Sequence, residues 1–559
     1  MKKIKFTLLV LLFSSTAFAK PTGNISGSWN YSKADIHPDR TSVIQQVGLS
    51  PNNISTFFYN SGIFNQDRRV ANSPGFEWPK GTGKFACFSS GLSILTKIEG
   101  VLKEAACLYL GEYSSGYINN SSSIPVAMTN SDFKIYKVSV GDNAGNNPDY
   151  ANWYKMVPYG APFDDVNHNG VYDNGIDKPG VKDAASTLFA CLTDGFPESH
   201  AGNEGFGGGT APVFCEVHFT AWAYNSIGVE DVQFMKWVVI NKSNKAWDST
   251  YFGLGADSDL GYPNDDYIGC DTIRNMGYCY NADNDDASYG ANPPAFGMDI
   301  LKSPVNRNVT PPVNLGMTAF VKIVNGSGIP PCERFPTDQF DAYNYLKGVK
   351  ADGSYWIDPN TDQSTKYCYP GDPETNTGWT EFSGCVQNCA GGPIVPVHTP
   401  NTPGDRIFQI SSGADNFRVL PNETQTIVAA QMIARGTSNL NSVTKLKQLS
   451  TLVQTIYDTD LLVSNISTNI PSSFSLYQNY PNPFNPSTKI KFDMIRNGFA
   501  SLKIYDAAGK KVATLINDEM ISAGTNEVTF DAKDLASGIY FYRLNSGTFT
   551  ETKRMLLLK

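Results

Sequence analysis

Past its first twenty residues the chain runs in short apolar stretches separated by Gly, Pro, Asn and Asp, at the spacing of strands and turns. Val213 to Phe219, Phe234 to Ile240 and Thr426 to Met432 are such stretches. They mix alternation with continuous apolar runs, which predicts strands packed on one or both faces of a sandwich. One segment has a different period. From Asn441 to Tyr457, Val443, Leu446, Leu449, Val453 and Ile456 recur at helical spacing, which predicts a single amphipathic helix. The chain then turns polar from Val463 and closes that stretch with Pro471-Ser472-Ser473, so a domain boundary is expected there.

From Phe474 the organisation changes. Strands are expected at Lys489 to Met494, Ser501 to Tyr505, Lys511 to Ile516, Asn526 to Phe530, Gly538 to Leu544 and Arg554 to Leu558, with turns at Asp506 to Gly509 and Ala536 to Gly538. Prolines at the start of this region pre-set an extended backbone and cannot join a central ladder. The predicted fold class is mainly β: a large β-sandwich-type middle region with one amphipathic helix, followed by a small immunoglobulin-like β-sandwich. The expected divisions are a signal over 1–19, a β-rich middle region over 20–440 built as one unit or two subdomains, a helix and linker over 441–473, and a C-terminal domain over 474–559.

The first residues bear on compartment. Lys2, Lys3 and Lys5 precede a short apolar core, Leu8 to Phe13, and Ala17-Phe18-Ala19 supplies small residues for cleavage after Ala19. The apolar run is well short of the roughly 20 residues that span a bilayer, so a cleaved export signal is expected and no transmembrane segment in the mature chain. Charged residues are only 17% and aromatics 12%, with 49 Gly and 33 Pro, a composition that fits a turn-rich extracellular β protein. Net charge is -9 and the isoelectric point about 5.2. With no clustered basic face, nucleic acid is not an expected partner, whereas cations suit this balance.

Four ordered motifs carry a family resemblance: Tyr-Pro-Asn-Pro-Phe-Asn-Pro-Ser-Thr at 480–488, Leu-Lys-Ile-Tyr-Asp-Ala-Ala-Gly at 502–509, Ser-Gly-Ile-Tyr-Phe-Tyr-Arg-Leu at 537–544, and the ending from Lys553-Arg554 to Lys559. Together they resemble the type A C-terminal sorting domain of type IX (Por) secretion cargo, a relative of flagellar hook-cap immunoglobulin-like domains. The resemblance marks Tyr480, Pro481, Asn482, Pro483, Gly509, Gly538, Tyr540 and Lys559 as its motif residues. It implies passage through the Sec translocon, then engagement of the type IX outer-membrane translocon, and arrival outside the cell or on its surface. It also implies removal of the sorting domain and attachment to surface lipopolysaccharide as fates between which the sequence does not choose, with extracellular glycan as another candidate partner. The segment Tyr251 to Asn281 is similar to parts of uncharacterised surface proteins with the same ending, and no activity comes with that likeness.

Chemistry in the middle region centres on acids. Asp165, Asn167 and Asn169 occupy the first, third and fifth positions of a loop, Gly170 the sixth, Val171 the seventh and Asp173 the ninth, matching the start of a calcium-binding loop. Hard oxygen donors suit a hard cation, and Val171 would offer its carbonyl. The twelfth position is Ile176, with Asp177 one place later, and Pro179 blocks an exiting helix, so a non-EF-hand calcium loop is expected, or an Asx-rich turn without metal. A second, weaker candidate uses Asp257, Asp259, Asp265 and Asp266, in a stretch that reads first as a solvated loop and last as a source of paired catalytic carboxylates. Calcium is thus the expected cofactor.

Ten cysteines in an exported chain allow disulfides, and Cys270 and Cys279, flanking a short loop, are an expected pair. Cys385 and Cys389 close a small ring or serve different partners; Cys87 and Cys107 are bonded or buried as free thiols. With no CxxC pair and no HExxH among five histidines, zinc is not expected. No GxSxG elbow is present, Gly205 to Thr210 lacks the ending of a phosphate loop, and His200 and His218 read as structural, so no catalytic residue is assigned. The leading expectation is a non-catalytic calcium-braced module for adhesion, glycan binding or a structural coat. The alternative is a secreted hydrolase of polysaccharide or protein.

Overall fold

The structure is a computed structural model that describes residues 44–69, 73–119, 125–200, 206–325, 329–384, 389, 400–459, 474–494, 498–521, 524–546 and 549–559. The expected export signal with Ala17 and Ala19, Cys385 and the linker after 459 lie outside them. The main strands and helices of the middle region, in chain order, are β1 Ser89–Ile98, β2 Val101–Ala105, β3 Tyr136–Ser139, β4 Ser186–Thr193, β5 Cys215–Ala223, β6 Val232–Asn241, β7 Asp248–Ser258, β8 Asp266–Asp271, β9 Met276–Asn281, β10 Ala295–Lys302, β11 Ala319–Val324, α1 Gln339–Leu346, β12 Arg406–Gly413, β13 Thr424–Ala434 and α2 Asn439–Thr459.

Two antiparallel sheets form the sandwich. The larger, of nine strands, runs β3-β4-β5-β6-β13-β10-β9-β8, with Ser114–Ser115 also pairing on β4; the smaller runs β11-β12-β7-β1-β2. Sequence alternation decides which face each residue takes. Met235, Trp237 and Val239 of β6 and Ile427, Ala429 and Ile433 of β13 join the core between the sheets. Val232, Phe234, Val428, Ala430 and Met432 face the other way, where Val443, Leu446, Val453 and Ile456 of α2 cover them. A strand covered on both faces loses its polar alternation, which accounts for the continuous apolar runs. One polar layer crosses the core, and its donors are met: Asn65 donates to Gln431 at 2.8 Å and Gln431 to Gln233 at 2.9 Å.

The mainly-β reading holds, with one addition. Besides α2, which begins at Asn439 and packs on the sandwich, and a single helical turn at Pro148–Ala151, the helix α1 is present. Asp338 caps α1, its side chain accepting from the backbone N–H groups of Phe340 and Asp341, and Ala342, Tyr343, Tyr345 and Leu346 are buried. Its aromatic residues favour strand by local preference, and packing against the small sheet overrides that preference. The strand expected from Val213 starts at Cys215, because Phe214 sits at φ 58° and the Asp194 carboxylate takes the N–H groups of Val213 and Cys215.

The expected Cys270–Cys279 bridge does not form. Across β8 and β9, Cys270 faces Gly277 and Cys279 faces Ile268, so the thiols are diagonal, a relation that spans about 7–8 Å. That exceeds the reach of a disulfide, and both are buried free thiols, as are Cys87 and Cys107. The disulfide present joins Cys332 to Cys389, 57 positions apart, a long-range pairing that spacing alone does not reveal.

The C-terminal region adds β14 Ser475–Leu476, β15 Ser487–Met494, β16 Gly498–Asp506, β17 Lys511–Ile521, β18 Gly524–Asp531, β19 Gly538–Ser546 and β20 Phe549–Leu557. They form a three-stranded sheet, β14-β15-β18, and a four-stranded sheet, β17-β16-β19-β20. Ile490, Phe492, Leu502, Ile504, Tyr542, Leu544, Met555 and Leu557 fill the space between them. Each strand expected from the sequence lies in one of these, with Leu558 just past the end of β20. Among the described residues no helix is long and apolar enough to cross a membrane.

Candidate cation sites and the C-terminal sorting domain

The Asp165 loop is closed by a two-residue ribbon in which Phe163 pairs with Pro179 and Asp164 with Lys178. Gly170 at φ 77° and His168 at φ 57° turn the backbone through the left-handed region, and the open space around Gly170 shows that it is needed for its dihedral alone. Asp165 accepts from the N–H groups of Asn169 and Gly170, at 3.2 and 2.7 Å. The side-chain amides of Asn167 and Asn169 both donate to Asp173 Oδ2, at 2.7 and 2.6 Å, and these bonds hold its carboxyl below the usual carboxylate range. Four of the sequence candidates therefore converge. The oxygens of Asn167 and Asn169 accept from the N–H groups of Asn169 and Val171, at 3.2 and 2.8 Å, so turning either oxygen to a cation beside Asp173 exchanges that bond for ligation. Asp177 acts differently. Buried, it takes the N–H groups of Val166 and Asp173 and clamps the two ends of the loop. Val171 is exposed.

The second candidate is rearranged by the fold. Asp257 lies at the end of β7, Asp259 follows that strand, and Asp405 precedes β12, which pairs with β7 through Ser258 and Arg406. One carboxylate oxygen from each of Asp257, Asp259 and Asp405 lies within 4.8 Å of the others. Asp257 is fully buried and Asp259 nearly so. Calcium holds oxygens at about 2.3–2.6 Å, so donors on opposite sides of one ion stand about 5 Å apart, and this trio fits one coordination sphere. Tyr109 donates its hydroxyl to Asp257 Oδ2 at 3.0 Å, while Arg406 is engaged by Glu381 at 2.9 Å. Asp265 and Asp266 do not join the trio. Asp266 is buried, accepts from Leu260 N–H and is pushed well above the usual range, chiefly by burial. Asp265 is pushed up to about 7 by burial and by Asp286 and Asp283.

Both histidines weighed in the sequence are paired with acids. His218 Nε2 lies 2.9 Å from Glu216. His200 is buried between Glu112, at 3.2 Å, and the Asp194 backbone carbonyl, at 2.8 Å, and is pushed up to about 10; its burial opposes the rise, and hydrogen bonds to Asp194 and Glu112 overcome it. Beside them Glu104 is wholly buried, and neither carboxyl oxygen receives a hydrogen bond of normal geometry. Burial, then the charge of Glu112, push its carboxyl well above the usual range. A carboxyl raised in the folded state favours folding below the unfolded value near 4.5, and that contribution is lost as pH rises. Glu104→Gln removes the ionisation penalty and is expected to stabilise the protein on the order of 1–3 kcal/mol at pH 7.5 and little at pH 4. Thermal melts of both proteins at the two pH values check this; an equal effect at both would mean that Glu104 is not held neutral.

In the C-terminal domain most motif residues are tied into the fold. Asn479, just before Tyr480, is buried; its N–H donates to the Tyr542 hydroxyl at 2.8 Å and its side chain to the Pro481 carbonyl at 3.0 Å. Asn482 accepts from Leu556 N–H at 2.9 Å, and Phe484 is buried and bonded through its backbone to Leu556 and Leu558. Gly509 completes the turn after β16 at φ 81°, Tyr540 donates to Ala536 O at 2.8 Å, and Lys559 N–H donates to Ser537 Oγ at 2.9 Å. Gly538 meets no steric demand: a β-carbon there would contact nothing. Tyr480 stands apart, with 81% of its surface exposed.

Residues 478–558 match the model of the family described as secretion system C-terminal sorting domain. This region is therefore a type IX sorting domain, and the protein is cargo of that machinery, delivered to the cell surface or beyond. A search of curated proteins returns no match. Among solved structures, a polysaccharide lyase aligns at 7% identity over 62% of this chain and 34% of its own length, with a TM-score of 0.16. The chain thus spans about a third of that lyase. At that score the alignment carries no argument about the middle region.

Proposed function

We propose that the middle region is a non-catalytic, calcium-braced module for adhesion, glycan binding or a surface coat, delivered through the Sec translocon and then by its sorting domain. The observation that carries this reading is the meeting of Asp257, Asp259 and Asp405, carboxylates from two chain segments with one oxygen of each within 4.8 Å of the others. A hard divalent cation held among oxygens so placed turns the mutual repulsion of the carboxylates into ligation. The Asp165 loop offers a second, more exposed set of oxygens.

Calorimetric titration of the purified mature protein with calcium tests the reading. Binding at roughly 10⁻⁴ to 10⁻³ M, the range of extracellular modules, is expected. Heatless titration would remove the calcium brace. Release of reducing ends from polysaccharide, or cleavage of peptides, by the same protein would replace the module with a hydrolase.

A further inference from the structure

Between the C-terminal half of α2 and the end of β10 lies an open cleft of about 1040 Å³, at the upper end of ordinary small-molecule sites. Asp299 of β10 forms part of its lining although only 1% of the residue is exposed. Its strand neighbours are Met276 and Ala430, so this carboxyl interrupts an otherwise apolar sheet face. Oδ2 accepts from the Ser450 hydroxyl of α2 at 2.6 Å, and Oδ1 is buried with no hydrogen-bond partner. A buried acceptor left unmet is costly in a folded protein, and beneath a cleft a ligand hydroxyl that displaces the side chains covering it would meet that need.

The surroundings define that donor. Arg274 is pinned at the rim, its Nη1 on Asp271 at 2.8 Å and its Nε on the Lys447 carbonyl and Thr451 hydroxyl of α2. Lys302, exposed, lines the cleft as well, and Gln454 sets its amide against Leu301 O and Asp458. The lining sets Arg274 and Lys302 against Asp299 and Asp458, so it presents no field of one sign to select a metal ion, an ammonium group or an anion. A neutral ligand with several hydroxyls suits this lining, donating a hydrogen bond to Asp299 and accepting one from Lys302.

We infer that this cleft binds a neutral saccharide, with Asp299 Oδ1 accepting from a sugar hydroxyl. The inference rests on the glycan-binding form of the proposed function and gives it a location. The volume accommodates several sugar units. Burial pushes the Asp299 carboxyl up to about 7, with Asp271 reinforcing the rise and the Ser450 hydrogen bond and Arg274 opposing it. A hydroxyl donated to Oδ1 favours the ionised form, so binding should tighten as pH rises from 5.5 to 8.

The test is calorimetry and ligand-observed NMR on the full mature chain with cellohexaose, xylohexaose, laminarihexaose and maltohexaose at pH 5.5 and 8. At least one is expected to bind, Asp299→Asn to weaken it tenfold or more and abolish its pH dependence, and Lys302→Ala to weaken it severalfold. Should Asp299→Asn fail to fold, Lys302→Ala and Gln454→Ala, both at the cleft lining, decide the matter. Binding that survives these variants undiminished overturns the cleft while leaving glycan binding elsewhere intact. No binding of any of the four overturns the inference and leaves the calcium brace, measured separately, standing.

Discussion

A chain lacking residues 474–559 is expected to remain in the periplasm, because the translocon's recognition surface goes with them. The whole domain is the unit to remove. Its first strand, β14, pairs with β15, and Phe484 binds the end of β20 through its backbone, so shorter truncations expose core and test stability instead of recognition. Two point variants separate those effects. Phe484 is buried beside Phe530, and Phe484→Ala should cost about 3–5 kcal/mol and lose the domain to proteolysis. Tyr480 is exposed and its side chain supports little of the fold, so Tyr480→Ala should leave the domain folded while lowering surface delivery. Fractionated cells probed for the protein in periplasm, surface and medium give the readout. Normal delivery of the truncated chain would mean that export does not use this domain; normal delivery of Tyr480→Ala alone would move recognition to another face.

The strands of the sorting domain were legible because each buries one face: in β15, Thr488, Ile490 and Phe492 are buried while Lys489 and Lys491 are exposed. The middle region was harder. In β13 both faces are covered, by the second sheet and by α2, so its sequence shows that it is buried and not against what. The candidate sites divide in the same way. The Asp165 loop is local, and its donors are countable in one short segment. The Asp257 group is not. Ser258 and Arg406, 148 positions apart, pair across β7 and β12, and only that register brings Asp405 to Asp257 and Asp259. Asp265 and Asp266 are nearer in sequence and fall outside the trio, since Asp265 is held in the turn Pro263–Asp265 and Asp266 opens β8. Asp299 had no signal either, because one acid in an apolar run acquires meaning only from what α2 places above it.

Calcium at 100-fold excess over its dissociation constant is expected to raise the stability of the middle region by about 2.7 kcal/mol per site, since an ion bound only by the folded form adds RT ln(1 + [L]/Kd). For a unit of about 420 residues, with roughly 2 cal/mol/K of unfolding entropy per residue, that is a rise of about 3 °C in melting temperature. The two candidate sites give distinguishable variants. Asp165→Ala removes a charged ligand, so it should lower the calcium gain, and in chelator it should cost about 1 kcal/mol for the hydrogen bonds accepted from Asn169 and Gly170, whereas Asp164→Ala, in the ribbon before the loop, should leave the calcium gain unchanged. Asp257→Asn has the opposite signature in chelator. There the trio is three carboxylates within 4.8 Å, and replacing one by an amide of the same shape relieves their repulsion, so the variant should melt higher than the parent. With calcium it should gain less than the parent, because a charged ligand is gone. A purely structural aspartate would show a loss under both conditions. Differential scanning calorimetry of the parent and three variants, in excess calcium and in excess chelator, decides among these outcomes: identical parent curves dismiss calcium altogether, and a full calcium gain in Asp257→Asn dismisses the trio as its site.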